Sequence, residues 1–193
     1  IRDDLQNLVK ETQEGVGRVK AIIQDLKDYA RTNAATHYVA SDIQVGLKST
    51  LNIARNQLKN RADVRLSLGN LPLVECAPSQ IDQVFLNLIV NAAQAMPEGK
   101  MGLIDIRTDC DERKVWIEVQ DNGPGIPPEV MKKIFDPFFT TKDPGTGTGL
   151  GLSVSQNIIQ QHGGKLDVSS TVGVGTTFKI TLPIKRPVAK GSA

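Results

Sequence analysis

A predicted helix at residues 78–96 has two contrasting faces, and this combination constrains the fold more than any other feature. It begins at Pro78, which suits a first helical position because no intrahelical hydrogen bond needs its missing N–H. The apolar face must lie against a core, and it consists of Ile81, Phe85, Leu88, Ala92 and Ala95. The opposite face carries only carboxamides, namely Gln80, Gln83, Asn87, Asn91 and Gln94. The chain therefore needs a second layer of structure beneath this helix.

The carboxamide face is unusual, because a solvated helix face normally carries charged residues as well. Asn87 and Asn91 lie one turn apart and can reach a single site. Carboxamide oxygens are hard ligands of the kind that Mg²⁺ binds. The residues alone leave two interpretations open, an ordinary polar outer face and a metal-binding face.

The remaining periodicities predict a sheet covered by helices. Strands are predicted at residues 37–39, 64–68, 102–108, 114–120, 165–170 and 176–184. Further helices are predicted at residues 41–59, 127–135 and 150–162, the first opening with the capping box S-D-I-Q. No glycine-rich loop follows a first strand, which excludes a Rossmann or P-loop fold. The order predicts an α+β fold, a two-layer sandwich of one mixed sheet with helices on one face.

A long helix is predicted ahead of this domain. Apolar residues at positions 1–30 recur every three or four residues, close to the heptad of a coiled coil. A helix of this length, about 45 Å at 1.5 Å per residue, needs a partner for its apolar seam. Because the chain begins with Ile1, we expect a fragment of a longer protein. The predicted divisions are a helix at 1–32, a linker at 33–40, a domain at 41–184 and a disordered tail at 185–193.

Composition narrows the function classes. The chain has 23 Lys and Arg against 21 Asp and Glu, a net charge of +2 that does not favour nucleic-acid binding. It contains no run of about 18 apolar residues that would span a membrane. Cys76 and Cys110 have no metal-ligand spacing and are predicted to be free thiols.

Two glycine-containing segments are candidates for ligand binding. The sequence D-N-G-P-G-I at residues 121–126 follows a predicted strand, where Asp121 can accept a hydrogen bond from an exocyclic amine such as adenine N6. The sequence G-T-G-T-G-L-G-L at residues 145–152 leads into a helix, where backbone N–H groups and the helix dipole favour an anion. The alternatives are a tight turn for the first segment and a flexible linker for the second.

A third segment, F-D-P-F-F-T-T-K at residues 135–142, places three of the five Phe residues beside the second glycine segment. Aromatic side chains there can close a loop over a ligand, and Lys142 can reach a phosphate. Core packing of the Phe residues is the alternative. Residues 136–149 have no periodicity and the length of a lid or binding loop.

These sequences, with N-L-I-V-N-A at residues 87–92, resemble in order the asparagine, first glycine, phenylalanine and second glycine boxes of two-component sensor histidine kinases. The resemblance covers residues 41–184, and the F-F-T-T-K and N-A-x-Q-A forms are similar to those of nitrogen-regulation sensors. It implies the Bergerat ATP-binding fold of the GHKL proteins. It also implies that residues 1–30 are the second helix of the dimerization and histidine-phosphotransfer hairpin.

The resemblance implies a site for ATP and Mg²⁺, with residues 136–149 as the ATP lid. Asn91 would coordinate Mg²⁺ beside Asn87, Asp121 would accept from adenine N6, and Lys142 would meet the γ-phosphate. Asn91 and Lys142 would thus be the catalytic residues. The other implied ATP-binding residues are Gly123, Gly125, Ile126, Phe138, Thr141, Gly145, Gly147, Thr148, Gly149, Leu150, Gly151 and Thr176.

The chain departs from the family pattern at two points. Gln94 stands where many members carry Lys, Arg or His, which increases the expected importance of Lys142. The acceptor motif, a histidine followed by an acid, is absent and would lie before Ile1. The implied activity is transfer of the ATP γ-phosphoryl group to a hairpin histidine, and onward to a response-regulator aspartate.

The implied partners are a cognate response regulator, the histidine-containing hairpin of the same or a partner subunit, and a second copy in a full-length homodimer. We expect no nucleic-acid or membrane contact by this chain and a cytoplasmic location, whether or not its parent is membrane-anchored. One alternative is an ATPase clamp of the gyrase, chaperone and mismatch-repair type, disfavoured because Asn87 replaces the Glu that acts there as general base. The other is a nucleotide-binding regulatory module that transfers no phosphate.

Overall fold

The described part of the chain has two layers, one of helices and one of strands. A computed structural model describes residues 37–142 and 147–186, together with Thr12 and Gly15. The other residues, which include almost all of the predicted N-terminal helix as well as Gly145, lie outside this description.

Four helices and seven strands make up the described elements. The helices are α1 (Ile43–Leu58), α2 (Pro78–Ala95), α3 (Pro128–Met131) and α4 (Gly151–Gln161). The strands are β1 (Val39–Ser41), β2 (Ala62–Leu68), β3 (Val74–Cys76), β4 (Gly102–Cys110), β5 (Lys114–Asp121), β6 (Lys165–Thr171) and β7 (Gly175–Pro183). Among the described helices, none combines the length and the hydropathy that a membrane crossing requires.

The main sheet has five strands in the order β2-β4-β5-β7-β6, which leaves β2 and β6 as its edges. Strand β2 runs parallel to β4, whereas the other neighbours are antiparallel, so the sheet is mixed. Strands β1 and β3 form a separate antiparallel pair. The predicted α+β fold is confirmed.

The core lies between the sheet and the helices on one of its faces. Alternate residues of β5, such as Ile117, are fully buried under α2, while their neighbours, such as Glu118, face the other side. From α2, Phe85, Leu88 and Ile89 are each 0% exposed. Helix α2 lies centrally, because both α1 and α4 pack against it. Both cysteines are free thiols, as predicted.

The start of α1 differs from the predicted capping box. Asp42, not Ser41, is the N-cap, and its Oδ1 accepts the backbone N–H of Gln44 at 2.9 Å. Ser41 is instead the last residue of β1, paired with Val74 of β3. The Gln44 side chain turns away to donate to the Gly69 carbonyl. Strand β3 was not predicted, and the strand predicted at 37–39 lies at Val39–Ser41 instead, because three residues are too few to define an alternating pattern.

The end of α4 is fixed to the start of α2 by His162, which is 2% exposed. Its Nδ1 lies 2.7 Å from the Ile158 carbonyl, and its Nε2 accepts the backbone N–H of Ala77 at 3.0 Å. Because Nε2 accepts, the ring must be neutral with the proton on Nδ1. The ring of Tyr38 packs against it with 4.9 Å between centroids. One imidazole thus joins two helices and the β1 segment.

The His162 contacts predict a pH dependence of stability. Burial lowers the pKa of His162, and Arg186 acts in the same direction, although the hydrogen bond to Ile158 opposes them. The unfolded chain therefore binds the proton at higher pH, so stability falls as pH drops through and below about 6.5. We expect His162→Asn to lower the free energy of unfolding by about 1–3 kcal/mol near neutral pH. The variant should also lose less stability than wild type between pH about 7.5 and about 5.5.

Urea unfolding at the two pH values measures both quantities. The matched control is His37→Asn, since His37 is the other histidine and is exposed. Its pH dependence should equal that of wild type. If His162→Asn shows the full wild-type pH dependence, the assignment of that dependence to His162 is wrong.

Candidate functional site

A cavity of about 1040 Å³ opens along the carboxamide face of α2. The segment after β5, the segment leading into α4 and the start of β7 form its other walls. It brings together Asn87, Asn91, Asp121, Gly125, Ile126, Phe138, Thr141, Lys142, Gly147, Thr148, Gly149, Leu150, Gly151 and Thr176. Of the predicted site residues, Gly123 does not line the cavity, and Gly145 lies outside the described residues. Motifs far apart in sequence therefore share one site.

Asp121 lines this cavity from the last position of β5. It is 5% exposed, and its Oδ1 accepts the backbone N–H groups of Gly123 at 2.8 Å and Thr176 at 3.3 Å. Burial raises the pKa of this carboxyl, while the two backbone hydrogen bonds act in the opposite direction. Among the described residues, both hydrogen bonds to this carboxyl use Oδ1, which leaves Oδ2 for a further donor. Gly123 acts through Asp121 rather than from the cavity wall.

The segment after Asp121 lies tightly against the β6–β7 hairpin. Gly125 has φ of +75°, and a Cβ there would lie 2.3 Å from the Thr171 carbonyl oxygen, so only glycine fits. The Ile126 N–H donates to Ser170 Oγ at 2.8 Å, and Ser170 Oγ lies 2.9 Å from Thr176 Oγ1. Ser170 was not predicted as a site residue. Nothing in the sequence near Ser170 signals this role, which depends on the pairing of β6 with β7.

Asn87 connects the cavity wall to α4. Its Nδ2 donates to the Gly151 carbonyl at 3.1 Å and to Ser155 Oγ at 3.2 Å. Asn87 thereby holds the first turn of α4 against α2. A carboxamide in these contacts has no basic group with which to activate water, which disfavours the ATPase-clamp alternative.

The start of α4 supplies polar backbone groups to the cavity. Leu150 is its N-cap, and no side chain caps the helix there. Gly149, with φ of +71°, precedes it, and its carbonyl accepts the Phe138 N–H at 3.0 Å. N–H groups at a helix start with no capping side chain attract anions, and the helix dipole adds to this attraction. This end of the cavity suits a phosphate group.

Two of the Phe residues in the 135–142 segment have different environments. Phe135 packs against the core, whereas Phe138 has φ of +67° and is 64% exposed. Core packing therefore explains Phe135 but not Phe138. The backbone of Phe138, rather than its ring, makes the contact with Gly149.

Lys142 lines the same cavity. Its Nζ donates to Asn91 Oδ1 at 3.1 Å and to Gln94 Oε1. Burial lowers the pKa of this ammonium group. Three members of the carboxamide face thus make specific contacts in the cavity, namely Asn87, Asn91 and Gln94. The interpretation of this face as an ordinary polar outer surface does not account for these contacts.

Comparison with known proteins agrees with this geometry. Residues 76–186 match the family described as histidine kinase-, DNA gyrase B-, and HSP90-like ATPase. The sensor kinase CckA of Brucella abortus is 51% identical over 198 residues, which cover 93% of this chain and 20% of CckA. Sporulation kinase E of Bacillus subtilis is 34% identical over 172 residues, 88% of this chain and 23% of that kinase. The chain thus spans about a quarter or less of these relatives.

Solved structures show the same fold. The catalytic domain of histidine kinase ThkA is 33% identical with a TM-score of 0.68, over 78% of this chain and 99% of that domain. ThkA in complex with response regulator protein TrrA gives 28% identity and a TM-score of 0.75, over 93% of this chain and 51% of that chain. The similarity to nitrogen-regulation sensors in particular stays a prediction. The chain belongs to the histidine kinase-, DNA gyrase B-, and HSP90-like ATPases, and within them its domain is the ATP-binding catalytic domain of a sensor histidine kinase.

Proposed function

We propose that the cavity binds ATP with Mg²⁺ and that the domain transfers the γ-phosphoryl group to a histidine on a helical hairpin. One observation carries this proposal. A buried carboxylate, Asp121, and an ammonium group, Lys142, line the same cavity as an uncapped helix start. These groups match a ligand that carries both an amine and phosphates.

The base would bind beside Asp121, with Oδ2 accepting from adenine N6. Gly125 and Ile126 would form the wall beneath the ring, since their backbone is held against the β6–β7 hairpin. Thr176 would complete the edge of this pocket, because its N–H already contacts Asp121.

The phosphates would lie against the start of α4. Gly147, Thr148, Gly149, Leu150 and Gly151 would approach them through backbone groups, and Thr141 and Phe138 line the same cavity. Gly145, which lies outside the described residues, is proposed on the resemblance alone. Lys142 would neutralise charge on the γ-phosphate.

The donor set fits Mg²⁺ bound mainly by the nucleotide. The described residues contain no group of three or more His, Cys, Asp or Glu side chains that could hold a metal alone. Asn91 offers one carboxamide oxygen, and Mg²⁺ usually binds through few protein ligands plus phosphates and waters. Asn91 would hold the metal beside the phosphates, and the metal, when bound, would supply positive charge against the negative charge that develops during transfer. The protein residues would align the γ-phosphate, as phosphoryl transfer requires little covalent help.

The proposed protein partners follow from the kinase family. ThkA, with which this chain shares its fold, has been solved in complex with a response regulator. We propose a cognate response regulator, a histidine-bearing hairpin of the same or a partner subunit, a homodimer in the full-length protein, and a cytoplasmic location. We also propose domain bounds of 41–184, preceded by a linker at 33–40 and a hairpin helix at 1–32, and followed by a tail. The β1–β3 pair begins at Val39, inside that linker.

Substitution of Asp121 tests the base pocket. Asp121→Asn can place a donor against the adenine amine, so we expect ATP affinity to fall by about 1–3 kcal/mol, or roughly 5- to 150-fold. The preference of the site for ATP over GTP, which lacks the adenine amine, should fall together with the ATP affinity. Calorimetric titration measures both affinities, with the exposed Asp63→Asn as control. Unchanged ATP affinity and unchanged preference in Asp121→Asn would remove Asp121 from the site.

Asn91 and Asn87 have different expected roles. Asn91→Ala should abolish most of the gain in ATP affinity that Mg²⁺ provides, measured as the ratio of dissociation constants with Mg²⁺ and with EDTA. Asn87→Ala should retain most of that gain but lower the free energy of unfolding by about 1–2 kcal/mol, because it loses two half-buried hydrogen bonds to α4. A full Mg²⁺ effect in Asn91→Ala would contradict the metal assignment.

Phosphotransfer is tested with γ-labelled ATP. We expect label on a separately supplied hairpin that carries a histidine followed by an acid, and none on His162, which is buried and bonded through both ring nitrogens. Acid-labile, base-stable label identifies phosphohistidine. The Asn91→Ala variant, which should lose transfer, serves as the negative control. Label located at His162 by mass spectrometry would contradict the structural role given to that residue.

A further inference from the structure

Two carboxamides of α2 hold the Lys142 ammonium group. Asn91 and Gln94 are three residues apart, so their side chains lie side by side on one helix face. Lys142 Nζ donates to both oxygens, which brings together residues 48 and 51 positions apart. The Lys142 backbone N–H also donates to Thr140 Oγ1 at 3.1 Å, and Gly147 leaves space for the lysine stem. Several contacts therefore direct this side chain into the cavity.

In the part of the chain that the structure describes, the side-chain partners of Lys142 are neutral. The ion pairs there join other residues, and none involves Lys142. A carboxylate partner would neutralise the ammonium charge and bind it about twice as strongly as a neutral acceptor. Carboxamide oxygens orient the group but leave its charge uncompensated. The Lys142 charge thus remains available to an incoming anion.

The two carboxamides cannot keep the same role once nucleotide and metal are bound. In the proposed function, the Asn91 oxygen binds Mg²⁺, and a metal ion and an ammonium group on one oxygen repel each other. Lys142 must then leave Asn91. The Gln94 oxygen, one turn farther along α2, is the acceptor that remains.

We propose that Gln94 is a positioning residue for Lys142, a role that rests on the proposed function. It holds the Lys142 ammonium group at the phosphate end of the cavity before nucleotide binds, and it keeps Lys142 there when the metal takes Asn91. Gln94 is exposed at the surface of α2, so replacing it does not disturb the core.

A double-mutant cycle tests this coupling. Gln94→Met keeps the length of the side chain but removes the acceptor. We expect it to weaken MgATP binding by about three- to tenfold in the wild-type background, and by less than about twofold in the Lys142→Gln background. Equal effects in both backgrounds would show that Gln94 acts independently of Lys142 and would overturn the proposal. Gln160→Met, the same change at an exposed position of α4, should leave affinity unchanged.

A second measurement needs no nucleotide. Acylation of Lys142 by an amine-reactive ester, followed by mass spectrometry and normalised to the exposed Lys133, reports how firmly the ammonium group is held. We expect acylation of Lys142 to be several-fold faster in Gln94→Met than in wild type or Gln160→Met. An unchanged rate would overturn the proposal even if MgATP binds. If wild type fails to bind MgATP, the proposed function fails, and the acylation rate still decides whether Gln94 holds Lys142.

A charge relocation completes the test. The double variant Gln94→Lys, Lys142→Gln restores a cation at the same end of the cavity. We expect it to recover most of the MgATP affinity that Lys142→Gln loses. If MgATP affinity does not recover and the effects in the double-mutant cycle are additive, Gln94 and Lys142 do not jointly determine the position of the cation.

Discussion

The packing of α2 on the sheet sets the geometry of everything around it. Phe85, Leu88 and Ile89 are fully buried, and each contributes about 1.5–3 kcal/mol by leaving water. A single hydrogen bond in the cavity contributes about 1 kcal/mol. The apolar face therefore decides the rotation of the helix. Because residues on a helix are spaced by about 100°, burying that face points Asn87, Asn91 and Gln94 toward α4 and Lys142.

Strand register determines the position of Asp121 in a similar way. Asp121 pairs with Thr176 across β5 and β7, and Ile117 pairs with Ile180 in the same register. A slip by one residue would move every buried side chain to the opposite face of the sheet. The apolar residues of these strands thus fix the place of Asp121. The cavity is polar, but its shape depends on apolar packing on both sides.

The sequence predicted the parts of the molecule that depend on local pattern. The two faces of α2, the strand before Asp121 and the glycines around α4 each leave a periodic or compositional signal. The fold class follows from their order. Most of the predicted site residues meet in one cavity because they lie on or beside elements whose buried faces are clear from their residues.

Other features depend on contacts between distant residues and leave no local signal. The choice of Asp42 over Ser41 as N-cap follows from the pairing of Ser41 with β3, a strand too short to predict. Ser170 supports the cavity wall at Thr176 only because β6 aligns it with that residue. The contact between Gln94 and Lys142 joins two segments whose approach no sequence periodicity describes.

The edge strands of the main sheet affect whether copies of this domain associate in a crowded solution. Strands β2 and β6 have backbone groups with no neighbouring strand in the main sheet. Along β2, Asp63 and Arg65 are exposed or partly exposed, and along β6 Lys165 forms an ion pair with Asp167 at 2.6 Å. Adding a strand from another molecule would strip water from these charges. The edges therefore resist growth into an aggregate.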